Sequence, residues 1–297
     1  MIHRARPSAL RFALLVPAGV ALLAAGCIQA DRHTAESEET RDLPTVGTQK
    51  VSIKTDNGFV RVRPADPGVD TIHIRAEIRA TGHTPAEAQE CLEAIEITTP
   101  VSGADDATQE ISWAWREPRR SGWRADVSFT VTMPHQLDLD VKTDNGQIDV
   151  VGTTGACHVH TENGAVRVVA AEDELKAQST NGSITVDSPA EEVRLRTTNG
   201  AISARLTNDR RVSGGIKTDN GGIKLSLAKD AGTVIQARTS NGRIRSSLSL
   251  SELERKGRTY LAGKHAGGGE LLSIETHNGG ITLAIAEPSR NDQDQDD

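Results

Sequence analysis

From residue 49 to residue 288, apolar and polar side chains alternate in short runs, the period-two mark of half-buried strands. The runs recur in fixed phase about an Asn-Gly dipeptide: Asn57-Gly58, Asn145-Gly146, Asn163-Gly164, Asn181-Gly182, Asn199-Gly200, Asn220-Gly221, Asn241-Gly242 and Asn278-Gly279. From Asn145 the steps are 18, 18, 18, 21, 21 and 37 residues. The last step is close to two units, which implies that one unit is altered there. Two places before each Asn stands a hydroxyl: Thr55, Thr143, Thr161, Ser179, Thr197, Thr218, Thr239 and Thr276. Aliphatic or alanine side chains recur four places before each Asn, and an aliphatic two places after each Gly, as in Leu195 and Ile202 around Asn199-Gly200.

Two architectures compete for this pattern. Asn-Gly is a strong hairpin signal, which allows an antiparallel meander. A meander, however, does not require turn, hydroxyl and aliphatic positions to keep one phase over many units. A β-solenoid does, because each rung lies on the last and like residues stack in columns. The pattern therefore predicts an all-β chain, a parallel β-helix with rungs of 18–21 residues and two or three strands each, right-handed by the crossover preference. Its Asn side chains are expected to stack as a hydrogen-bonded ladder, and its corner glycines to supply positive φ.

Residues 69–135 do not repeat. The alternation predicts strands over 71–80, 95–101, 110–115 and 123–133. A short helix is predicted from Pro85 to about residue 95, with Thr84 as N-cap and Pro at the first position. This small α+β region is expected to cap the N-terminal end of the solenoid. The domain plan is then 1–26 signal peptide, 27–48 flexible polar tether, 49–135 strand pair and cap, 136–288 repeats, and 289–297 disordered acidic tail.

The N-terminus changes the picture of where the chain resides. Arg4, Arg6 and Arg11 precede an apolar stretch over 12–25 that is too short and interrupted for a spanning helix and fits a secretory h-region. Leu23-Ala24-Ala25-Gly26-Cys27 resembles the lipobox of bacterial lipoproteins, although Ala24 stands where Leu is usual. That resemblance implies cleavage before Cys27, lipid (palmitate among its acyl groups) on that cysteine and a bacterial envelope location. Ile28 after it favours the outer membrane in a Gram-negative cell. The chain after cleavage carries 31 basic against 41 acidic side chains, a net charge of −10, which argues against a nucleic-acid partner. Aromatics are 2% of the chain, so its core must be built from small aliphatics in regular layers. Cys91 and Cys157 are expected as two free buried thiols, with a disulfide as the alternative.

Two stretches, Val127-Ser128-Phe129-Thr130-Val131-Thr132-Met133-Pro134 and Leu139-Asp140-Val141-Lys142-Thr143-Asp144-Asn145-Gly146, carry a family resemblance together with the recurring Thr-x-Asn-Gly-x-Ile units. Gly267-Gly268-Gly269 before Leu272-Ser273-Ile274-Glu275-Thr276-His277-Asn278-Gly279 adds to it. Over roughly residues 50–285 the chain resembles the DUF4097 family, an adhesin-domain family. The resemblance implies a β-helix and an envelope-associated, often lipid-anchored role with no defined chemistry.

The residues offer few candidates for chemistry. There is no nucleophile elbow, phosphate loop or zinc-protease motif, and no cofactor or metal is expected. Asp144, Glu162 and Asp219 share one phase and could form a carboxylate column, as in polysaccharide-active β-helices, but a solvated turn column is the plainer reading. His158 and His160 share a strand face, more simply as a solvent-facing pair than as metal ligands. Three places before the Asn residues stand Lys54, Lys142, His160, Gln178, Arg196, Lys217, Arg238 and Glu275. Lys142, His160, Arg196, Lys217 and Arg238 make a candidate basic stripe for an anionic envelope glycan, a teichoic-acid-like polymer or lipid headgroups. The alternative is a set of surface charges paired with neighbouring acids. Trp113, Trp115 and Trp123 lie beside Arg116, Arg119 and Arg120, a combination common at binding surfaces, although two of the three are expected in the core of the cap. The sequence thus reads as a non-catalytic, lipid-anchored binding module, with an envelope-stress regulatory component or a polysaccharide-active enzyme as alternatives. Its partners are expected to be the membrane, through the lipid, and an anionic glycan or an envelope protein.

Overall fold

The computed structural model describes residues 32–100 and 107–287. The signal segment with Cys27 and the acidic tail lie outside the described residues. The N-terminal part comprises β1 (His33–Pro44), β2 (Lys50–Asn57), β3 (Val60–Pro64), β4 (Thr71–Gly82), α1 (Pro85–Glu93), β5 (Ile95–Thr98), β6 (Thr108–Trp115) and β7 (Arg124–Met133). Strand pairs about Asn-Gly follow: β8 (Asp138–Asn145) and β9 (Ile148–Thr153), β10 (Cys157–Asn163) and β11 (Val166–Ala171), β12 (Glu174–Asn181) and β13 (Ile184–Ser188). Next come β14 (Glu192–Asn199) and β15 (Ile202–Leu206), β16 (Ser213–Asn220) and β17 (Ile223–Leu227), β18 (Thr233–Asn241) and β19 (Ile244–Ser246). A hairpin of β20 (Leu250–Lys256) and β21 (Tyr260–His265) precedes β22 (Leu271–Asn278) and β23 (Ile281–Ile285).

The chain is almost all β, in two large sheets rich in parallel pairs. One runs β1-β4-β7-β3-β9-β11-β13-β15-β17-β23-β19 and the other β20-β21-β18-β22-β16-β14-β12-β10-β8-β2-β6-β5. Each Asn-Gly carries the chain from the twelve-stranded sheet to the eleven-stranded one, so the strands flanking it are not paired with each other. This excludes the hairpin meander through the repeats. Alternation sets the faces: Val193 and Leu195 are buried between the sheets, while Arg194 and Arg196 face out. The core is one continuous aliphatic layer from Val51 to Leu283.

The Asn ladder forms in full. Each amide Nδ2 donates to the Oδ1 of the Asn on the preceding strand, from Asn145 to Asn57 at one end through to Asn278 to Asn220 and Asn241 to Asn278 at the other, all at 2.8–2.9 Å. Beside it runs a second column. Thr161, Ser179, Thr197, Thr218, Thr276 and Thr239 each donate a hydroxyl to the carbonyl of the preceding corner Gly, at 2.8–3.0 Å.

Three expectations are corrected. The corner glycines are not there for positive φ, which among them only Gly58 adopts. They are there because backbone stacks on backbone: a Cβ at Gly146, Gly164, Gly182, Gly200, Gly221, Gly279 or Gly242 would meet the preceding corner's carbonyl oxygen at 1.8–2.0 Å. The long 37-residue step is not an altered unit. The chain places β18 and β19 one position too far, turns back through the β20–β21 hairpin, and inserts β22 between β16 and β18 and β23 between β17 and β19. The tether prediction also fails in part: residues 33–44 form β1, which pairs antiparallel with β4 along its whole length. Cross-strand pairs Glu36–Arg79 and Glu38–Arg75 explain why so acidic a segment adheres there. The non-repeating residues 69–135 lie at the N-terminal end of the repeats, joined to both sheets. β6 and β5 continue the twelve-stranded sheet from β2, and β7, β4 and β1 continue the eleven-stranded sheet from β3. The helix forms as the sequence predicts, with the Thr84 side chain accepting from the Glu87 backbone and Pro85 at the start, and rests mainly on β4 and β1.

Candidate functional site

The register fixes the order of the basic column on the outer face of the twelve-stranded sheet. Lys54, Lys142, His160, Gln178, Arg196 and Lys217 lie on successive strands β2, β8, β10, β12, β14 and β16. Glu275 follows on β22, and only then Arg238 on β18. Arg238 is therefore not part of a continuous stripe. It sits 5.7 Å from the Tyr260 ring, and Lys217 is paired with Glu275 at 3.3 Å. Lys54 is paired with Glu110 at 3.6 Å. Lys142 and Arg196 are exposed and make no ion pair among the described residues. At the strand spacing of about 4.8 Å the column from Lys54 to Lys217 is a straight row some 25 Å long, about five strand spacings.

The acidic residues next to each Asn follow the same register. Asp56, Asp144 and Glu162 fall on the consecutive strands β2, β8 and β10, with Thr180 and Thr198 on the next two. His158 lies between Asp140 and Lys176, and its Nε2 is 3.7 Å from Glu174. No cluster of three His, Cys, Asp or Glu side chains able to hold a metal occurs among the described residues. Cys91 and Cys157 are both free and buried. Burial pushes the Cys157 thiol up to about 12, so it stays protonated and unreactive.

On the opposite sheet, Asp149 of β9 is flanked by Arg63 of β3 and Arg167 of β11. Burial raises its pKa, but hydrogen bonds from both guanidiniums outweigh that and hold the carboxyl below its ordinary value. Both guanidiniums engage the one carboxylate, which leaves the cluster with a net charge of +1.

The aromatic cluster departs most from expectation. Only Trp123 is buried; Trp113 and Trp115 are half-buried on one face of β6. The rings of Trp113 and Trp115 meet edge to face at 5.4 Å, and Trp115 lies 6.0 Å from Trp123. Trp123 is covered by Arg120 at 4.9 Å, and its carbonyl accepts from Arg119 Nε at 2.9 Å. The two outer indoles line a cleft of about 360 Å³ with Arg119, Arg124 and Asp126. A second cleft of about 290 Å³, lined by Lys54, Lys142 and Asp144, shares Trp113 and Asp56 with the first. Asp56, Arg124 and Asp126 were not identifiable as site residues from the chain, because β2, β6 and β7 meet only in space. The clustering of every tryptophan of the chain between 113 and 123 was the available signal.

No family model and no curated protein matches the chain. Among solved structures it is similar to a "putative cell adhesion protein" from Clostridium sporogenes, with 11% identity and a TM-score of 0.38 over 85% of this chain and 100% of that one. It is also similar to a "putative lipid binding protein" from Parabacteroides distasonis, with 11% identity and a TM-score of 0.40 over 84% and 97%. A "putative adhesin" from the same organism follows at 10% identity and 0.36 over 84% and 97%. The reading of the site rests on this chain's own residues.

Proposed function

We propose that this chain is a non-catalytic, lipid-anchored binding module of the bacterial envelope, adhesin-like, whose two sheets are the walls of a β-solenoid. The single observation that carries the reading is the row from Lys54 to Lys217 on the outer face of the twelve-stranded sheet. It contains two exposed, unpaired cations, Lys142 and Arg196, on an otherwise acidic chain. Lys54 and Lys142 stand on one side of His160 and Gln178, and Arg196 and Lys217 on the other. Cations at such fixed positions on a rigid wall suit a linear anionic polymer, because a preorganised array loses little entropy on binding.

The double reversal Lys142→Glu and Arg196→Glu breaks no ion pair seen among the described residues, so stability should change by no more than about 0.5 kcal/mol. Binding to immobilised anionic envelope polymer should weaken by about tenfold or more, and the wild-type affinity should fall with added salt. Unchanged affinity in the double variant would refute the row as the contact surface.

The anchor is tested separately. Cells fed labelled palmitate should label the wild-type chain and release it only with detergent. The Cys27→Ser chain should remain unlabelled. Equal labelling of both would remove the lipid tether from the proposal.

A further inference from the structure

We infer that the paired clefts around Trp113 form a binding site for an acidic oligosaccharide, in which a sugar ring lies against the half-buried indoles and its anionic group faces the cations beside them. The inference rests on the binding-module reading above and adds to it a defined subsite at the β2–β6–β7 end of the row.

Three features converge. First, the aromatic surface is prefabricated. Trp123 is buried behind Trp115, and Arg119 and Arg120 hold it from either side, so the half-buried pair Trp115 and Trp113 is presented on a fixed base. In a chain with three tryptophans in all, two line this cleft and the third is buried directly behind them, while the core elsewhere is built without tryptophan. Secondly, the indoles are surrounded by both donors and acceptors. Arg124 and Lys142 offer donors only, and Asp56, Asp126 and Asp144 offer acceptors, across the two clefts. Sugar hydroxyls donate and accept at once and require that mixture, whereas an apolar peptide side chain would need a dry pocket. Thirdly, the clefts lack the acidic excess of the chain. They are lined by four cations, Lys54, Lys142, Arg119 and Arg124, and three carboxylates, with Lys54 paired to Glu110, while the whole chain has 34 basic against 41 acidic residues. Lys142 belongs both to the cleft and to the cationic row, so one chain of sugar residues could run from the indoles along β8, β10, β12 and β14.

The test is a titration of the full chain followed by tryptophan emission, with a hexamer of galacturonate as the probe. Maltohexaose serves as the neutral control and inorganic phosphate as the anion without a ring. The galacturonate oligomer should shift the emission, and Trp113→Ala and Arg124→Glu should each weaken its binding about tenfold or more. Arg124 is exposed, so its variant keeps the test valid if the alanine variant misfolds. Arg196→Glu, remote from the clefts, should leave the emission change in place. Maltohexaose should bind more weakly, and phosphate should leave the emission unchanged. Three results would each overturn the site: no binding of the oligomer, binding insensitive to Arg124→Glu with no emission change, or the same emission change with phosphate alone. Because Arg196 lies outside both clefts, Arg196→Glu alone, measured on long polymer, reads out the row, and its failure can be told apart from failure of the cleft.

Discussion

Replacing Gly182 by alanine should destabilise the protein by about 3 kcal/mol or more, among the largest effects a single methyl group can have. The new Cβ would stand 1.8 Å from the carbonyl oxygen of Gly164 and 2.5 Å from its carbon. Neither atom belongs to a side chain that could rotate away. The Gly164 carbonyl is already held by the Ser179 hydroxyl at 3.0 Å, and Asn181 is tied to Asn163 and Asn199 on either side. Relief therefore means parting two strands of the sheet, with loss of ladder bonds along both columns. Gly215 of β16 is the matched control. A Cβ there meets nothing within 4 Å, and its φ lies outside the left-handed region. Gly215→Ala should be neutral or stabilising by up to about 1 kcal/mol, since alanine restricts the unfolded chain. Urea denaturation of the two variants, followed by circular dichroism, measures the contrast. Equal midpoints would mean that the corner glycines are not required by stacking.

The second large effect is expected at Thr197. Its side chain is 1% exposed and its hydroxyl donates to the Gly182 carbonyl at 2.9 Å. Valine has the same shape without the donor, so Thr197→Val leaves that carbonyl short of a partner at a cost of about 1–3 kcal/mol. Thr197→Ser keeps the donor, as Ser179 does naturally in the same column, and should cost less than the valine variant by about 1 kcal/mol or more. The two free energies come from the same urea titration. A valine variant as stable as the serine one would show that the hydroxyl column contributes packing alone.

These two columns explain why so much of the repeat was readable in advance. A hydroxyl two places before every Asn, and a Gly after it, are local signals, and through the repeats each is required by a contact with the corner glycine of a neighbouring unit. The alternation that buries Leu195 and exposes Arg196 is equally local. Even so, the reason assigned to the glycines was mistaken. Positive φ is a property of one residue and can be guessed from residue type, whereas the clash of Gly182 with Gly164 exists only once two strands are stacked.

The site was less legible. Four of the five residues proposed for the basic stripe do share one row, because each sits at the same phase of its unit. Arg238 does not adjoin Lys217, because the order of strands in space departs from their order in the chain at β22. The cleft at Trp113 was legible only in part, as tryptophans crowded beside arginines. It joins Asp56, Trp113 and Arg124 from three strands, and no spacing in the chain records that meeting.

The amino-acid sequence by itself determined the strands, their inward and outward faces, the Asn-Gly corners and the capped helix at Pro85, because each depends on a residue and its near neighbours along the chain. Only the tertiary structure decided that β1 joins the sheet, that β22 and β23 fill the gap left before β18 and β19, and that Trp113 and Trp115 open onto a cleft. Those outcomes depend on pairings across tens of residues, where several registers satisfy the same local pattern and the buried layer as a whole selects one.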